Sequence, residues 1–137
     1  MTWHARLFAF AVRNDDGCLI YRGPLTNNGY GMFSGPAGHS VARSTVAHRW
    51  AYYFTKGPIP EGLVIDHLCN VRACINPGHL EAVTPAENDR RRVERRTHCN
   101  NGHAYSPENT YVRPCGARRC RLCGALRARD RRAAVSA

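Results

Sequence analysis

Length, composition and charge limit what this chain can be. Its 137 residues are enough for one domain or for two very small ones. No apolar run approaches the ~20 residues that span a bilayer, and the N-terminus lacks the basic, apolar and small-residue pattern of a secretion signal. We therefore expect a soluble protein that is not secreted and has no membrane partner.

The formal charge of +10 is concentrated in the last third of the chain. Residues 1–88 carry seven basic and six acidic side chains, whereas residues 89–137 carry thirteen arginines and four acidic residues. Arginine almost completely replaces lysine, which favours bidentate contacts to phosphate. A solvated arginine-rich surface is the alternative, but this density favours a nucleic-acid-binding segment.

The predicted elements begin with an apolar N-terminal stretch and a turn at residues 14–17. Two β-prone runs, Cys18–Tyr21 and Tyr30–Phe33, flank an Asn/Gly loop and predict a hairpin. The spacing of apolar residues over Ser44–Lys56 predicts a helix, which Gly57-Pro58 ends.

Two short strands are predicted in the centre of the chain. Leu63–Ile65 is an apolar strand that delivers Asp66 and His67 at its end, and Leu80–Val83 is the returning strand. The cysteine-containing segment between them predicts a loop.

A helix start follows the second strand. Thr84 is the expected N-cap, Pro85 occupies the first helical position and Glu87 completes a capping box. Asn88 therefore falls in the first turn of a helix that continues into a run of arginines.

Asp66, His67 and Asn88 together suggest phosphodiester hydrolysis. The reaction needs a base for the proton of water and a cation to neutralise charge on the phosphate. A neutral imidazole suits the first task near pH 7. Carboxylate and amide oxygens suit Mg²⁺ or Mn²⁺.

The loop after His67 has the spacing of a zinc site. Cys69-x4-Cys74-x4-His79 places three zinc ligands close together, and seven cysteines in a chain without a secretion signal favour metal over disulfides. A structural site needs a fourth ligand. Cys18 and His48 are the two candidates, and spacing leaves both open.

A second ligand group lies near the C-terminus. Cys99-x3-His103 and Cys120-x2-Cys123 form a zinc-ribbon-like pattern. His98 and Cys115 are spare donors, and Cys115 is most simply a free thiol.

The composition changes to Cys, His, Gly and Arg from Thr97 onward. We therefore predict a boundary near residue 96, with a catalytic domain at residues 1–96 and an arginine-rich DNA-binding segment at residues 97–137. The last stretch, Arg121–Ala134, predicts a basic helix.

Several motifs in residues 17–92 resemble the phage-type HNH endonucleases, which belong to the His-Me finger (ββα-metal) nucleases. The Cys-His loop is also similar to that of the zinc-bearing Cys-His box homing endonucleases. The matching runs are His48-Arg49-x-Ala51-Tyr52, Gly57-x-Ile59-Pro60-x-Gly62, Asp66-His67-x-Cys69, Cys74-x-Asn76-Pro77-x-His79-Leu80-Glu81-x-Val83-Thr84 and Glu87-Asn88. Gly102-His103, Glu108–Tyr111 and Cys120-x2-Cys123 resemble a tail found on some phage HNH proteins.

The resemblance implies a small α+β domain of the ββα-metal type, stabilised by zinc. A β-hairpin and a helix would precede it, and a zinc-ribbon-like basic tail would follow. His67 would be the general base, with Asp66 and Asn88 holding catalytic Mg²⁺ or Mn²⁺. DNA would be hydrolysed to 5′-phosphate and 3′-hydroxyl ends. Asn76 would fix the loop.

Two structural zinc ions are implied as well. The first would be bound by Cys18, Cys69, Cys74 and His79, although the aromatic residue that often follows the first cysteine in the family is Leu19 here. The second would be bound by Cys99, His103, Cys120 and Cys123.

Seven arginines are expected to contact double-stranded DNA. For Arg49, a phosphate clamp and an ordinary surface arginine stay open. The expected set is Arg49, Arg90, Arg91, Arg118, Arg119, Arg121 and Arg127.

The main alternative function is that of a non-catalytic, zinc-dependent DNA-binding protein. A packaging or structural accessory protein is a third hypothesis. A single ββα-metal centre cuts one strand, so double-strand cleavage requires a homodimer or two sequential nicks. The resemblance implies that the protein acts in the cytoplasm of a phage-infected host. Its biological role stays open among homing, genome packaging and the breakdown of host DNA.

Overall fold

The structure is a computed structural model that describes residues 1–38 and 46–136. The chain forms two compact units, Met1–Asp89 and Arg90–Ala137. This division lies upstream of the boundary that the composition predicts near residue 96, and the functional boundary stays a prediction.

The described residues form short helices and two-stranded antiparallel sheets, giving a mixed α and β architecture. The first unit contains α1 (Trp3–Phe8), β1 (Ala11–Arg13), β2 (Leu19–Tyr21), α2 (Ala47–Lys56), β3 (Val64–His67), β4 (Leu80–Val83) and the start of α3 (Pro85–Glu94). The second unit contains the end of α3, β5 (Thr110–Val112), β6 (Arg118–Cys120) and α4 (Arg121–Ser136).

The first hairpin differs from the predicted one. β2 pairs with β1, with Val12 opposite Ile20, so the predicted pairing with Tyr30–Phe33 is wrong. The turn at residues 14–17 decides the outcome, because the Asn14 side chain accepts a hydrogen bond from the Cys18 N–H at 2.8 Å. Gly17 adopts a φ of 79°, a conformation that glycine adopts readily. This short local turn closes at a lower entropic cost than the longer predicted loop.

The β3–β4 hairpin follows the prediction closely. Val64 pairs with Val83 and His67 with Leu80, so the loop of residues 68–79 is held at one end of the hairpin. The helix start is confirmed, because Thr84 Oγ1 accepts a hydrogen bond from the Glu87 N–H at 3.1 Å. Strand, loop, strand and helix therefore follow one another as the sequence predicts.

A small apolar core supports this hairpin. Trp50 and Ala51 of α2 are fully buried with Leu7, and Ile65 and Leu80 join them from the hairpin. α2 ends at Lys56, where Gly57 has a φ of 92°. The predicted first residues of this helix, 44 and 45, lie outside the described residues. Domains with so small an apolar core commonly need disulfides, metal ions or oligomerisation for stability.

The second unit has even less apolar interior. Its buried residues within the described chain are Cys120 and Cys123, at the end of β6 and in the first turn of α4. α4 spans Arg121–Ser136, which confirms the predicted basic helix and extends it by two residues. No helix in the described ranges is long and apolar enough to cross a membrane.

Candidate active site and metal centres

The first group of zinc-type ligands comes together in the structure. The donor atoms of Cys18, Cys69, Cys74 and His79 all lie within 4.8 Å of one another. His79 Nδ1 is 3.5 Å from Cys18 Sγ and 3.7 Å from Cys74 Sγ. Tetrahedral zinc at its usual bond lengths separates nitrogen and sulfur ligands by about 3.6 Å. These donors therefore fit zinc, and Cys18 rather than His48 lies with the other three.

The loop carrying these ligands is tied to the first hairpin. The Asn76 side-chain NH₂ donates to Gly17 O at 2.7 Å, and its Oδ1 accepts from the Gly78 N–H at 3.0 Å. The Ile75 N–H donates to Leu19 O at 2.8 Å. These bonds hold residues 17–19 against the loop and so bring in Cys18. Asn76 thus has the loop-fixing contacts expected of it.

Burial favours neutral thiols in this group. It raises the pKa of Cys18 to about 12, and the neighbouring Cys69 and Cys74 thiols add to the shift. Burial also raises the pKa of Cys74. Zinc binds thiolates, so metal binding would release protons from this group.

The second group of zinc-type ligands also comes together in the structure. Its four donor atoms lie within 4.8 Å of one another. His103 Nδ1 is 3.5 Å from both Cys99 Sγ and Cys120 Sγ and 3.3 Å from Cys123 Sγ. Cys99 and Cys123 Sγ are 3.7 Å apart, against about 3.8 Å for two thiolates on tetrahedral zinc. Cys115 is exposed and lies outside the group.

Two asparagines support the second group, and sequence reasoning missed both. The Asn101 side-chain NH₂ donates to Cys123 Sγ at 3.2 Å, and that of Asn109 donates to Cys120 Sγ at 3.3 Å. Burial opposes ionisation of Cys120, but hydrogen bonds from the Cys123 N–H and from Asn109 lower its pKa to about 6. Such outer contacts orient metal ligands. The only sequence signal was the resemblance of the run around Asn109 to phage HNH tails.

The three residues of the predicted catalytic group lie on the β3–β4–α3 segment. Asp66 and His67 end β3 and are 4% and 7% exposed. Asn88 is partly buried in the first turn of α3, where its N–H donates to Thr84 O at 2.9 Å. Asp66 is directly opposite Glu81 in the hairpin register.

A backbone carbonyl selects the tautomer of His67. Its Nε2 lies 3.1 Å from Cys74 O. A carbonyl oxygen only accepts hydrogen bonds, so Nε2 carries the proton and Nδ1 is the basic nitrogen of the neutral ring. Because Cys74 also belongs to the first ligand group, the zinc-type loop orients the imidazole.

A second histidine packs against this ring. The His48 and His67 ring centroids are 4.6 Å apart, and the Tyr30 ring lies 5.4 Å from His48 and 6.0 Å from His67. His48 is 8% exposed, and its Nδ1 has no hydrogen-bond partner in the described part of the chain. Burial, with smaller contributions from His67 and Arg49, lowers the pKa of His48 to about 3. Tyr30 was missed by sequence reasoning, which placed it only in a hairpin.

This buried neutral histidine should make the first unit sensitive to acid. The unfolded state binds a proton on His48 below pH 6.5, whereas the folded state does so only near pH 3. Between these values the unfolded state binds more protons, so the free energy of unfolding falls as pH decreases, by about 1.4 kcal/mol per pH unit. We expect His48→Phe, which keeps a ring, to remove this dependence.

Tryptophan fluorescence measures the effect, since both tryptophans, Trp3 and Trp50, lie in the first unit. Denaturant unfolding measures the free energy of unfolding at pH 7 and at pH 5. This free energy should fall between the two pH values by about 2 kcal/mol more in wild type than in His48→Phe. Titration of the zinc-type ligands is common to both proteins and cancels in this comparison. Replacement of the exposed His98 is the control and should leave the pH dependence unchanged. Equal slopes of the free energy of unfolding against pH for His48→Phe and wild type would contradict the prediction.

The predicted DNA-contacting arginines are distributed over both units. Arg49 on α2 is partly buried, and its Nε has no partner among the described residues. Arg90 on α3 pairs with Glu94. Arg121 lies over the Tyr111 ring at 5.8 Å. The remaining members are Arg91 on α3, Arg118 and Arg119 on β6, and Arg127 on α4.

Comparison with known proteins gives one family match and two phage relatives. Residues 45–90 match the family described as HNH endonuclease. The chain is 36% identical over 69 residues to the uncharacterized gene 5.3 protein of Enterobacteria phage T3, covering 49% of this chain and 68% of that protein. It is 32% identical over 73 residues to Protein 7.7 of Escherichia phage T7, covering 53% of this chain and 52% of that protein. No solved structure gives a significant match.

Proposed function

This chain belongs to the phage-type HNH endonuclease family, and we propose that it is a metal-dependent DNA endonuclease with His67 as general base. The observation that carries the proposal is the contact between His67 Nε2 and Cys74 O at 3.1 Å. It fixes the ring in the tautomer whose Nδ1 can take a proton.

The proposed chemistry is hydrolysis of one phosphodiester bond. Nδ1 of His67 takes a proton from water as the water oxygen attacks phosphorus. The bond from phosphorus to the 3′ oxygen breaks, and that oxygen takes a proton from solvent water, which leaves a 3′-hydroxyl and a 5′-phosphate. Cys74 O accepts a hydrogen bond from the Nε2–H and stabilises the imidazolium that forms on His67.

A divalent cation fits the remaining residues of the site. The carboxylate of Asp66 and the amide oxygen of Asn88 are the hard oxygen ligands that Mg²⁺ or Mn²⁺ prefers. When bound, such an ion neutralises charge on the phosphate and on the leaving oxygen. The Asp66 carboxylate is nearly buried at the end of β3, directly opposite Glu81 in the hairpin register.

In this proposal, neutral His48 packs against the general base. Its ring packs on His67 at 4.6 Å, and a proton on His48 would repel the imidazolium that forms during the reaction. Burial keeps His48 neutral. His48 is therefore a positioning residue for His67.

Two structural zinc ions complete the proposed protein. Cys18, Cys69, Cys74 and His79 would hold the first, which would fix the loop between β3 and β4 that carries Cys74 O beside His67. Cys99, His103, Cys120 and Cys123 would hold the second, which would organise the C-terminal unit, where the apolar core is smallest. Each group supplies four protein donors, the number typical of a structural zinc site.

Conversion of supercoiled plasmid to open circles tests the proposal. We expect nicking with Mg²⁺ or Mn²⁺, no nicking when neither ion is added, and ligatable 5′-phosphate and 3′-hydroxyl ends. Linear product that lags behind open circles would indicate sequential nicks, and linear product formed from the start would indicate a dimer. An intact plasmid across many DNAs and both ions would favour a non-catalytic DNA-binding protein.

A further inference from the structure

A cleft beside the second ligand group is surrounded by arginines. It has a volume of about 330 Å³ and lies entirely within the second unit. Three cysteines of the ligand group form part of its wall. The four arginines that line it are Arg96, Arg118, Arg119 and Arg127, and no carboxylate is among its described lining residues.

One of these arginines is already engaged. The Arg118 guanidinium donates to the carbonyl oxygens of Val93 and Arg96, the latter at 2.9 Å. It also lies over the Tyr105 ring at 4.5 Å. Arg118 thus ties the end of α3 to β6 and shapes the cleft, and its contact with DNA stays a prediction.

The charges of the other three arginines are not neutralised by direct ion pairs in the described chain, and Asp130 lines only a neighbouring pocket with Arg119 and Arg127. Within the described residues, no ion pair joins Arg96, Arg119 or Arg127 to an acidic side chain. Residues 90–137 carry thirteen arginines against Glu94, Glu108 and Asp130. Like charges around one concavity repel one another, and a polyanion that enters it removes this repulsion.

We propose that this cleft binds the phosphodiester backbone of duplex DNA through Arg96, Arg119 and Arg127, and that it is separate from the His67 centre. The inference rests on the proposed function, because it takes DNA as the substrate. Guanidinium groups bind phosphate oxygens in pairs, which matches the chemistry of the lining. Phosphate contacts carry no sequence information, so the cleft raises affinity without choosing a target.

The second ligand group gives the cleft its form. Cys120 ends β6 and Cys123 lies in the first turn of α4, so one metal ion would fix the strand with Arg119 relative to the helix with Arg127. Gly124 also lines the cleft and faces open space, since a Cβ there would meet no heavy atom within 4 Å.

Fluorescence anisotropy of the full-length protein with a labelled 20-base-pair duplex tests the inference, in buffer without Mg²⁺ or Mn²⁺. We expect Arg119→Gln/Arg127→Gln to weaken binding about tenfold and to lower the slope of log affinity against log salt by about 2. Arg113→Gln/Arg129→Gln is the matched control, because it removes equal charge from the same hairpin and helix outside the cleft. Equal affinities for the two double variants would overturn the proposal.

Two further variants distinguish the loss of a DNA contact from misfolding of the second unit. Gly124→Glu adds a carboxylate in open space and should weaken binding about as much as the double variant. Arg119→Lys/Arg127→Lys keeps the charge and should bind with intermediate affinity. Zinc content equal to wild type confirms that the second unit is intact, and unchanged binding by Gly124→Glu with normal zinc would also overturn the proposal.

Plasmid nicking by the same proteins separates this inference from the proposed function. If wild type nicks plasmid but the Arg119→Gln/Arg127→Gln variant binds the duplex as tightly as wild type, the inference about the cleft is wrong and the proposed nuclease function is retained. A protein whose binding depends on these arginines, but which leaves plasmid intact with every ion, would overturn the nuclease and support the cleft.

Discussion

Replacement of His67 is expected to reduce the rate of plasmid nicking by about 10²–10⁴-fold, the usual contribution of a general base. His67→Ala removes the basic nitrogen but also leaves Cys74 O without its donor, which costs about 1–3 kcal/mol when that carbonyl is buried. His67→Gln is the sharper variant. Its amide can donate to the same carbonyl, yet it has no nitrogen that accepts a proton at neutral pH.

The measurement is the initial rate of open-circle formation at saturating Mg²⁺, with unfolding followed by tryptophan fluorescence. Both variants should lose activity, whereas His67→Gln should lose less stability than His67→Ala. His98→Gln is the control, because His98 is exposed and lies outside the first unit. Nicking by His67→Gln within fivefold of wild type would remove His67 as the base.

Cys74→Ser is expected to lower the zinc content from about two ions per chain to about one and to unfold the first unit. Cys74 is fully buried, and zinc bound at such sites contributes about 10–16 kcal/mol. That contribution exceeds the net stability of most small domains. The variant should also lose nicking, because Cys74 O orients His67.

Elemental analysis and tryptophan fluorescence measure both effects. Cys115→Ser is the matched control, since Cys115 is exposed and belongs to neither ligand group. Its zinc content should equal that of wild type, and its free energy of unfolding should change by less than about 0.5 kcal/mol. Two zinc ions in folded Cys74→Ser would show that the first group is not a structural zinc site.

Local chemistry made much of the β3–β4–α3 segment predictable. Thr84, Pro85 and Glu87 determine where α3 begins, because an N-cap hydroxyl and a first-turn proline act over a few residues. The apolar runs around Ile65 and Leu80 gave β3 and β4 to within a few residues. The spacing of each Cys/His group likewise anticipated which side chains the structure brings together.

Strand pairing and side-chain contacts between distant segments of the chain were harder to predict from local patterns. β2 was predicted to pair with Tyr30–Phe33, but it pairs with β1 across a turn in which the Asn14 side chain accepts a hydrogen bond from the Cys18 N–H. Arg118 has the same local signature as Arg119, yet it binds two carbonyls at the end of α3. Such differences depend on residues distant in sequence, which composition and periodicity do not report.

Residue types and local patterns were sufficient to predict the ligand types, the helix start that carries Asn88 and the concentration of arginine near the C-terminus. The choice between Cys18 and His48 required the folded chain, because the contacts of Asn76 and Ile75 bring residues 17–19 to the zinc-type loop. The same packing leaves His48 against His67. The physical reason is that hydrogen bonds between segments far apart in the chain, rather than local propensity, place these side chains.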